Sequence, residues 1–166
     1  MELSITLTAL AKKISSLGKS IETEEATKNA LVMPFLNQAL GYDVFDPSEV
    51  IPEFTADTGT KKGEKVDYAI MKDGAVQILI ECKKYGDSLS LKHASQLYRY
   101  FSVTNARIAI LTNGNDYQFF TDLDAPNKMD EKPFLELSLT DLDDHALPEL
   151  EKLTKASFDV DSIIGA

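Results

Sequence analysis

Asp67 stands inside the apolar run Val66-Asp67-Tyr68-Ala69-Ile70, and a second apolar run, Val76-Gln77-Ile78-Leu79-Ile80, leads straight into Glu81-Cys82-Lys83. Side chains alternate across a strand, so Glu81 and Lys83 share one face and Cys82 takes the other. Two carboxylates and an ammonium at the end of apolar strands are costly to bury unless they pair with one another or with a metal. The Asp73-Gly74 dipeptide between the two runs is a hairpin signal, and a hairpin brings Asp67 beside Glu81. Two carboxylates and a backbone carbonyl, with that of Cys82 as the candidate, form a hard oxygen set. Such a set suits Mg²⁺, which keeps several waters and takes phosphate oxygens in its open positions. Lys83 then lies where it favours a deprotonated water and offsets charge on a pentavalent phosphorus. The chemistry this predicts is metal-assisted phosphodiester hydrolysis. The plainer alternative is a surface hairpin on which Glu81 and Lys83 form a same-face salt bridge worth little.

The elements that must hold these residues read as an ordered α/β series. Leu7, Leu10, Ala11, Ile14 and Leu17 recur at helical spacing and predict a helix over about 4–17. A second helix starts at Thr23, a suitable N-cap, and runs to Gly41, with Pro34 expected to kink or split it. Strands are predicted at Tyr42–Phe45 and Val50–Phe54, followed by a polar loop, Ala56–Glu64, and the two strands bearing Asp67 and Glu81. A helix over Leu89–Val103 carries Leu91, Ala94, Leu97, Tyr98 and Phe101 on one face. The run Arg107–Leu111 reads as a buried strand, which Asn113-Gly114 turns into Tyr117–Thr121. Pro133–Leu139 reads as an edge strand and residues 143–156 as a closing helix. The series predicts one domain over residues 1–166, an α/β/α sandwich on a central mixed sheet. Its core spans about 20–140, and residues 141–166 form an acidic helical segment.

Composition sets the bounds. With 166 residues, 43% hydrophobic and 27% charged, the chain is long enough for a real core without metal or disulfide staples. No run reaches the length of a membrane span, and Met1-Glu2-Leu3-Ser4 lacks the basic start of a signal peptide, so a cytoplasmic location is expected and no membrane partner. A single cysteine permits no internal disulfide, and His93 and His145 are too scattered to suggest zinc. Seventeen basic against 27 acidic residues leave a net charge of −10, a poor match for nucleic acid at first sight. The distribution says more. Residues 61–107 carry nine basic and five acidic residues, whereas residues 122–166 carry four basic and twelve acidic. Positive charge thus coincides with the candidate site, as a local phosphate-binding surface requires.

The residues also carry a resemblance. Glu24-Glu25-Ala26-Thr27-Lys28, Met33-Pro34-Phe35-Leu36, Leu40-Gly41-Tyr42-Asp43, Lys65-Val66-Asp67-Tyr68, Ile80-Glu81-Cys82-Lys83-Lys84, Gln96-Leu97-Tyr98-Arg99-Tyr100-Phe101 and Leu111-Thr112-Asn113-Gly114 follow in order over about residues 20–160. Together they resemble the PD-(D/E)XK nuclease superfamily with its restriction-endonuclease-like fold, and within it the N-terminal nuclease domain of type I restriction enzyme R subunits. The resemblance implies that Asp67 and Glu81 bind the metal and that Lys83 is the catalytic lysine. It matches Gln96 and Tyr100 to a Gln-x-x-x-Tyr motif, and Glu24 to the helix glutamate that completes the acidic cluster, with Glu25 its competitor. Four-residue spacing puts Gln96 and Tyr100 on one helix face, where they could orient DNA or a water, or simply stabilise the helix. Acids in a first helical turn are also expected from the helix dipole alone.

Two departures stand out. Val66 replaces the proline that often precedes the first acidic residue of the motif, and no Gly-x-x-x-x-Gly-Lys-Ser/Thr pattern occurs. Without the motor into which R subunits continue, the chain is not expected to hydrolyse ATP or translocate. The expected function is therefore a Mg²⁺-dependent DNA endonuclease domain, with Mn²⁺ a possible substitute. Lysines 61, 62, 65, 83 and 84 would touch phosphates, and specificity would come from modification and specificity subunits of a restriction complex. The alternatives are a catalytically silent DNA-binding or assembly module on the same fold, and an interaction domain that docks a basic partner through its acidic C-terminal third.

Overall fold

A computed structural model of the protein describes residues 2–56, 65–159 and 163. Lys61, Lys62 and most of the expected polar loop lie outside the described residues. Six strands form one mixed sheet in sequence order: β1 (Val50–Phe54), β2 (Val66–Lys72), β3 (Ala75–Cys82), β4 (Ile108–Thr112), β5 (Asp116–Phe120) and β6 (Leu135–Ser138). Every neighbouring pair is antiparallel except β3 and β4, whose parallel pairing requires the crossover that α3 (Ser95–Val103) supplies. The continuous apolar runs of β3 and β4 are buried on both faces, as central strands should be.

Two apolar layers sandwich the sheet. On one face Tyr68, Ile70, Ile78, Ile80, Ile108 and Ile110 meet α1 (Glu2–Leu17), the second helical run and the C-terminal segment. On the other, Ala69, Leu79, Ala109 and Leu111 meet Leu97, Tyr100 and Phe101 of α3. The α/β sandwich predicted from the sequence is the architecture observed. Among the described residues no helix is long and apolar enough to cross a membrane.

Thr23 caps α2, the helical run that opens with Glu24–Thr27 and continues to Phe35–Ala39; its side chain accepts the Ala26 N–H at 2.9 Å, and Gly41 ends the run with φ +86°. Between them Pro34 does not split the helix. After Glu24–Thr27 the run goes on as two π-wound stretches, Lys28–Val32 and Phe35–Ala39, which flank the proline. Proline lacks an N–H and its ring crowds the carbonyl four residues back, and the wider winding on either side lets the helix continue past it.

The strand expected at Tyr42–Phe45 is corrected to a pair of turns. Asp43 and Asp46 side chains accept the Phe45 and Ser48 N–H groups at 3.0 and 2.9 Å, satisfying the backbone locally and removing it from the sheet. The closing helix expected over 143–156 shrinks to α4 (Leu147–Glu151), preceded by a 3₁₀ turn at Asp144–Ala146. The expected helix over Leu89–Val103 likewise begins with a 3₁₀ turn, Leu91–Ala94, before α3. The acidic C-terminal segment is core structure on its apolar side. Leu150, Leu153 and Phe158 are buried, the Tyr42 hydroxyl donates to the Leu153 carbonyl at 3.1 Å, and the Lys155 N–H donates to the Leu40 carbonyl at 2.8 Å.

The Thr112–Asp116 turn sets the depth of α2. Gly114 has φ +90°, and a Cβ there would lie 2.8 Å from Leu31 Cδ1 and 3.1 Å from Thr27 Cγ2. Gly114→Ala is expected to cost about 2 kcal/mol through backbone strain and displacement of α2. Urea denaturation checks this; a midpoint equal to wild type would show that the turn does not support the helix.

Candidate active site

Two carboxylates cannot be brought together at a strand end by pattern alone; register decides it. The Asp73-Gly74 turn has φ +54° and +78°, the conformation that two-residue hairpins favour, and it opposes Lys72 to Ala75 and Met71 to Val76. Continued unchanged, that register would place Asp67 opposite Ile80, and its carboxylate would face an apolar core. A bulge at Ile70/Met71 shifts it, so that Ile70 opposes Ile78 and Tyr68 opposes Ile80, with Gln77 the extra residue on β3. One step further, Asp67 falls opposite Glu81.

There the ladder ends and the two carboxylates take over its work. Cys82 N–H donates to Asp67 Oδ2 at 2.7 Å, and Asp67 N–H donates to Glu81 Oε1 at 3.3 Å. Each carboxylate so satisfies a backbone donor of the opposite strand. Each also has its own ammonium: Lys83 Nζ lies 3.8 Å from Glu81 Oε2, and Lys28 Nζ lies 3.3 Å from Asp67 Oδ1. Lys28 also reaches Glu25 Oε1 at 3.1 Å.

Burial governs the electrostatics. Glu81 is only 6% exposed, and burial together with the adjacent Asp67 carboxylate pushes its carboxyl up to about 8 against the pull of Lys83. Burial works against the Lys28 ammonium as well, but Asp67 and Glu25 outweigh it and hold its pKa above the usual lysine range. The Glu81–Lys83 pair of the plainer reading is therefore present, but drawn in from the surface, and it becomes an ion pair only when Glu81 gives up its proton.

Lys83 is fixed through its own segment. Its N–H donates to the Thr112 carbonyl at 2.7 Å, Tyr85 N–H donates to Thr27 Oγ1 at 2.9 Å, and Asn113 Nδ2 donates to the Asp87 carbonyl at 2.7 Å. The chain leaving β3 is therefore pinned to β4, to α2 and to the Asn113 turn. Cys82 turns its side chain into the core on the α1 side, where burial and then the charges of Asp67 and Glu81 push the thiol well up, so the thiol is no nucleophile; its N–H is spent on Asp67.

The remaining candidates are distributed unevenly. Tyr100 is buried in the layer between α3 and the sheet, edge-on to Phe54 with ring centroids 6.2 Å apart, while Gln96, one turn earlier, is half-buried. Glu24 is exposed at the start of α2, and Glu25 is the helix acid that Lys28 links to Asp67. Among the described residues, no three histidine, cysteine or acidic side chains group closely enough to hold an ion by themselves. A site for a divalent cation here would rest on Asp67, Glu81 and main-chain oxygen. That set fits a hard cation: two oxygen ligands are held together, and the charge of one is disfavoured until a positive partner arrives.

Lys28 is the residue that sequence reasoning missed. Its local signal, Glu25 three residues earlier, reads as an ordinary surface pair on a helix. Nothing in the sequence joins it to Asp67, 39 residues on.

In metal-free protein the folded chain keeps a proton on Glu81 that the unfolded chain releases near 4.5. The stability this contributes is full below that value and is lost as pH rises toward about 8. Thermal melts in EDTA at about pH 5.5 and about pH 8.5 are expected to show the loss, and Glu81→Gln to flatten it. Equal slopes for the two proteins would mean that Glu81 is not held neutral.

Comparison with known proteins bears on the same residues. No curated protein and no solved structure matched the chain. Residues 21–128 match the family described as the type I restriction enzyme R protein N terminus, a span that begins just before α2 and takes in Lys28, Asp67, Glu81, Lys83, Gln96 and Tyr100. With most of its length matched, the chain belongs to the family of type I restriction enzyme R protein N-terminal domains.

Proposed function

We propose that this domain is a Mg²⁺-dependent DNA endonuclease acting by phosphodiester hydrolysis. The observation that carries the reading is the reciprocal Asp67–Glu81 arrangement at the end of β2 and β3, with Lys83 beside it. Asp67 and Glu81, with the Cys82 carbonyl, would hold Mg²⁺, or Mn²⁺ in its place. When bound, the ion supplies Lewis-acid stabilisation of charge on the phosphate.

The chain's own residues do the rest. Lys83 keeps an ammonium at the mouth of the acidic pair, where it offsets charge on phosphorus in the transition state and favours a deprotonated water. Its main chain is tied to Thr112, so the ammonium works from a fixed root. Tyr100 anchors α3 against the sheet and Gln96 presents an amide to substrate from the next turn. Lys65 and the exposed Lys84 contact phosphates and carry no sequence information, so the domain has little intrinsic sequence preference. Modification and specificity subunits of a cytoplasmic restriction complex supply that preference.

A second reading, a DNA-binding or assembly module without turnover, is favoured by the absence of a third acidic side chain at the site among the described residues. Plasmid nicking separates the two. Wild type is expected to nick supercoiled DNA in Mg²⁺ or Mn²⁺ at low salt, and Lys83→Ala to lose about 10²-fold or more of that rate. Equal rates would remove Lys83 from the chemistry. Salt-sensitive DNA binding by wild type with no cleavage in either metal would establish the silent module.

A further inference from the structure

Asp67 is fully engaged in this structure. Its Oδ2 accepts the Cys82 N–H at 2.7 Å, and its Oδ1 lies 3.3 Å from the Lys28 ammonium. The Lys28 side chain is 14% exposed, and it is held on its other side by Glu25 Oε1 at 3.1 Å, a carboxylate that is 70% exposed. With Lys83 on Glu81, the two buried carboxylates are each served by one lysine.

A divalent cation brought to Asp67 and Glu81 needs oxygen lone pairs and an excess of negative charge. Lys28 diminishes both at Asp67, because it takes a lone pair of the one oxygen that is not committed to the backbone and offsets its charge. Two cations on one carboxylate oxygen repel strongly where water is largely excluded. Glu25 gives the ammonium a second partner, already in contact and open to solvent, so the lysine can leave Asp67 without becoming an unpaired buried charge.

We infer that Lys28 is a positioning residue that competes with the divalent cation for Asp67, so that metal binding moves its ammonium from Asp67 Oδ1 to Glu25. The inference rests on the reading of Asp67 and Glu81 as metal ligands. In metal-free protein Lys28 neutralises the site and holds α2 against the end of β2. Loading with metal releases that tie and leaves the ammonium at the solvent edge.

Calorimetric titration of the full chain with MgCl₂ and MnCl₂, without DNA, tests this. Lys28→Met is expected to bind Mg²⁺ about tenfold more tightly than wild type. Its metal-free melting temperature should be lower and its gain on adding Mg²⁺ larger. Lys12→Met, which removes an exposed lysine of α1, should match wild type in each measurement. Equal or weaker binding by Lys28→Met overturns the competition while leaving the metal site standing. No binding by either protein overturns both. Should Lys28→Met not fold, the wild-type protein itself decides. Its Lys28 ammonium resonance, assigned by its loss in Lys28→Arg, must shift on saturation with Mg²⁺, and an unchanged resonance refutes the displacement.

Discussion

Like charges meet at the parted end of β2 and β3, and the rest of the structure is arranged around keeping them there. Asp67 and Glu81 would repel one another in an apolar setting. Their energy is lowered in three ways at once: backbone N–H groups of the opposite strand, one lysine each, and retention of a proton on Glu81. Each way recruits a different element. The N–H groups come from strands whose ladder stops at Tyr68 and Ile80, Lys28 comes from the start of the π-wound part of α2, and Lys83 comes from a segment tied to Thr112, Thr27 and Asn113. A carboxylate pair of this kind cannot be moved without disturbing three layers of contacts.

What the sequence disclosed follows from the range of the interactions involved. The Thr23 cap, the Gly41 terminus and the Asp73-Gly74 turn are local devices, and each stands where the pattern put it. Tyr42–Phe45 misled because its apolar alternation mimics a strand, while Asp43 and Asp46, which decide the outcome, act through side-chain bonds that period analysis ignores. At Pro34 the structure excludes only the split, because a helix that can widen to π winding continues past a proline.

At the site the limits are sharper. Asp67, Glu81 and Lys83 were legible because they interrupt apolar runs, and their types alone suggested a hard cation and phosphate chemistry. Their juxtaposition was legible in the Asp73-Gly74 hairpin, but the device that completes it was not: one extra residue, Gln77, returns the two carboxylates to the same face after a turn that would have separated them. Nor was Lys28 legible, since its partner is remote in sequence. In α2 the resemblance pointed to Glu24 and Glu25, whereas the geometry brings Lys28, between Glu25 and Asp67, into contact with the site.

The division of charge in the chain acquires a physical sense from this arrangement. A net charge of −10 works against a polyanionic substrate at long range, and screening limits that penalty to about 10 Å at moderate salt. Much of the acidic C-terminal third is spent on packing: Leu137, Leu150, Leu153 and Phe158 join the α1 layer, while Glu136, Asp141, Asp143, Asp144, Glu149 and Glu151 are exposed. Lys83 lies 3.8 Å from Glu81 and Lys28 3.3 Å from Asp67, while Lys84, next along the chain, is exposed. Within the screening distance of the two carboxylates, the balance is therefore set by a few lysines and by the proton on Glu81 rather than by the charge of the whole chain. Local compensation of this kind would let an acidic protein present a site for phosphate under the proposed function, and it makes the fit of α2 against β2 the element on which both stability and site electrostatics turn.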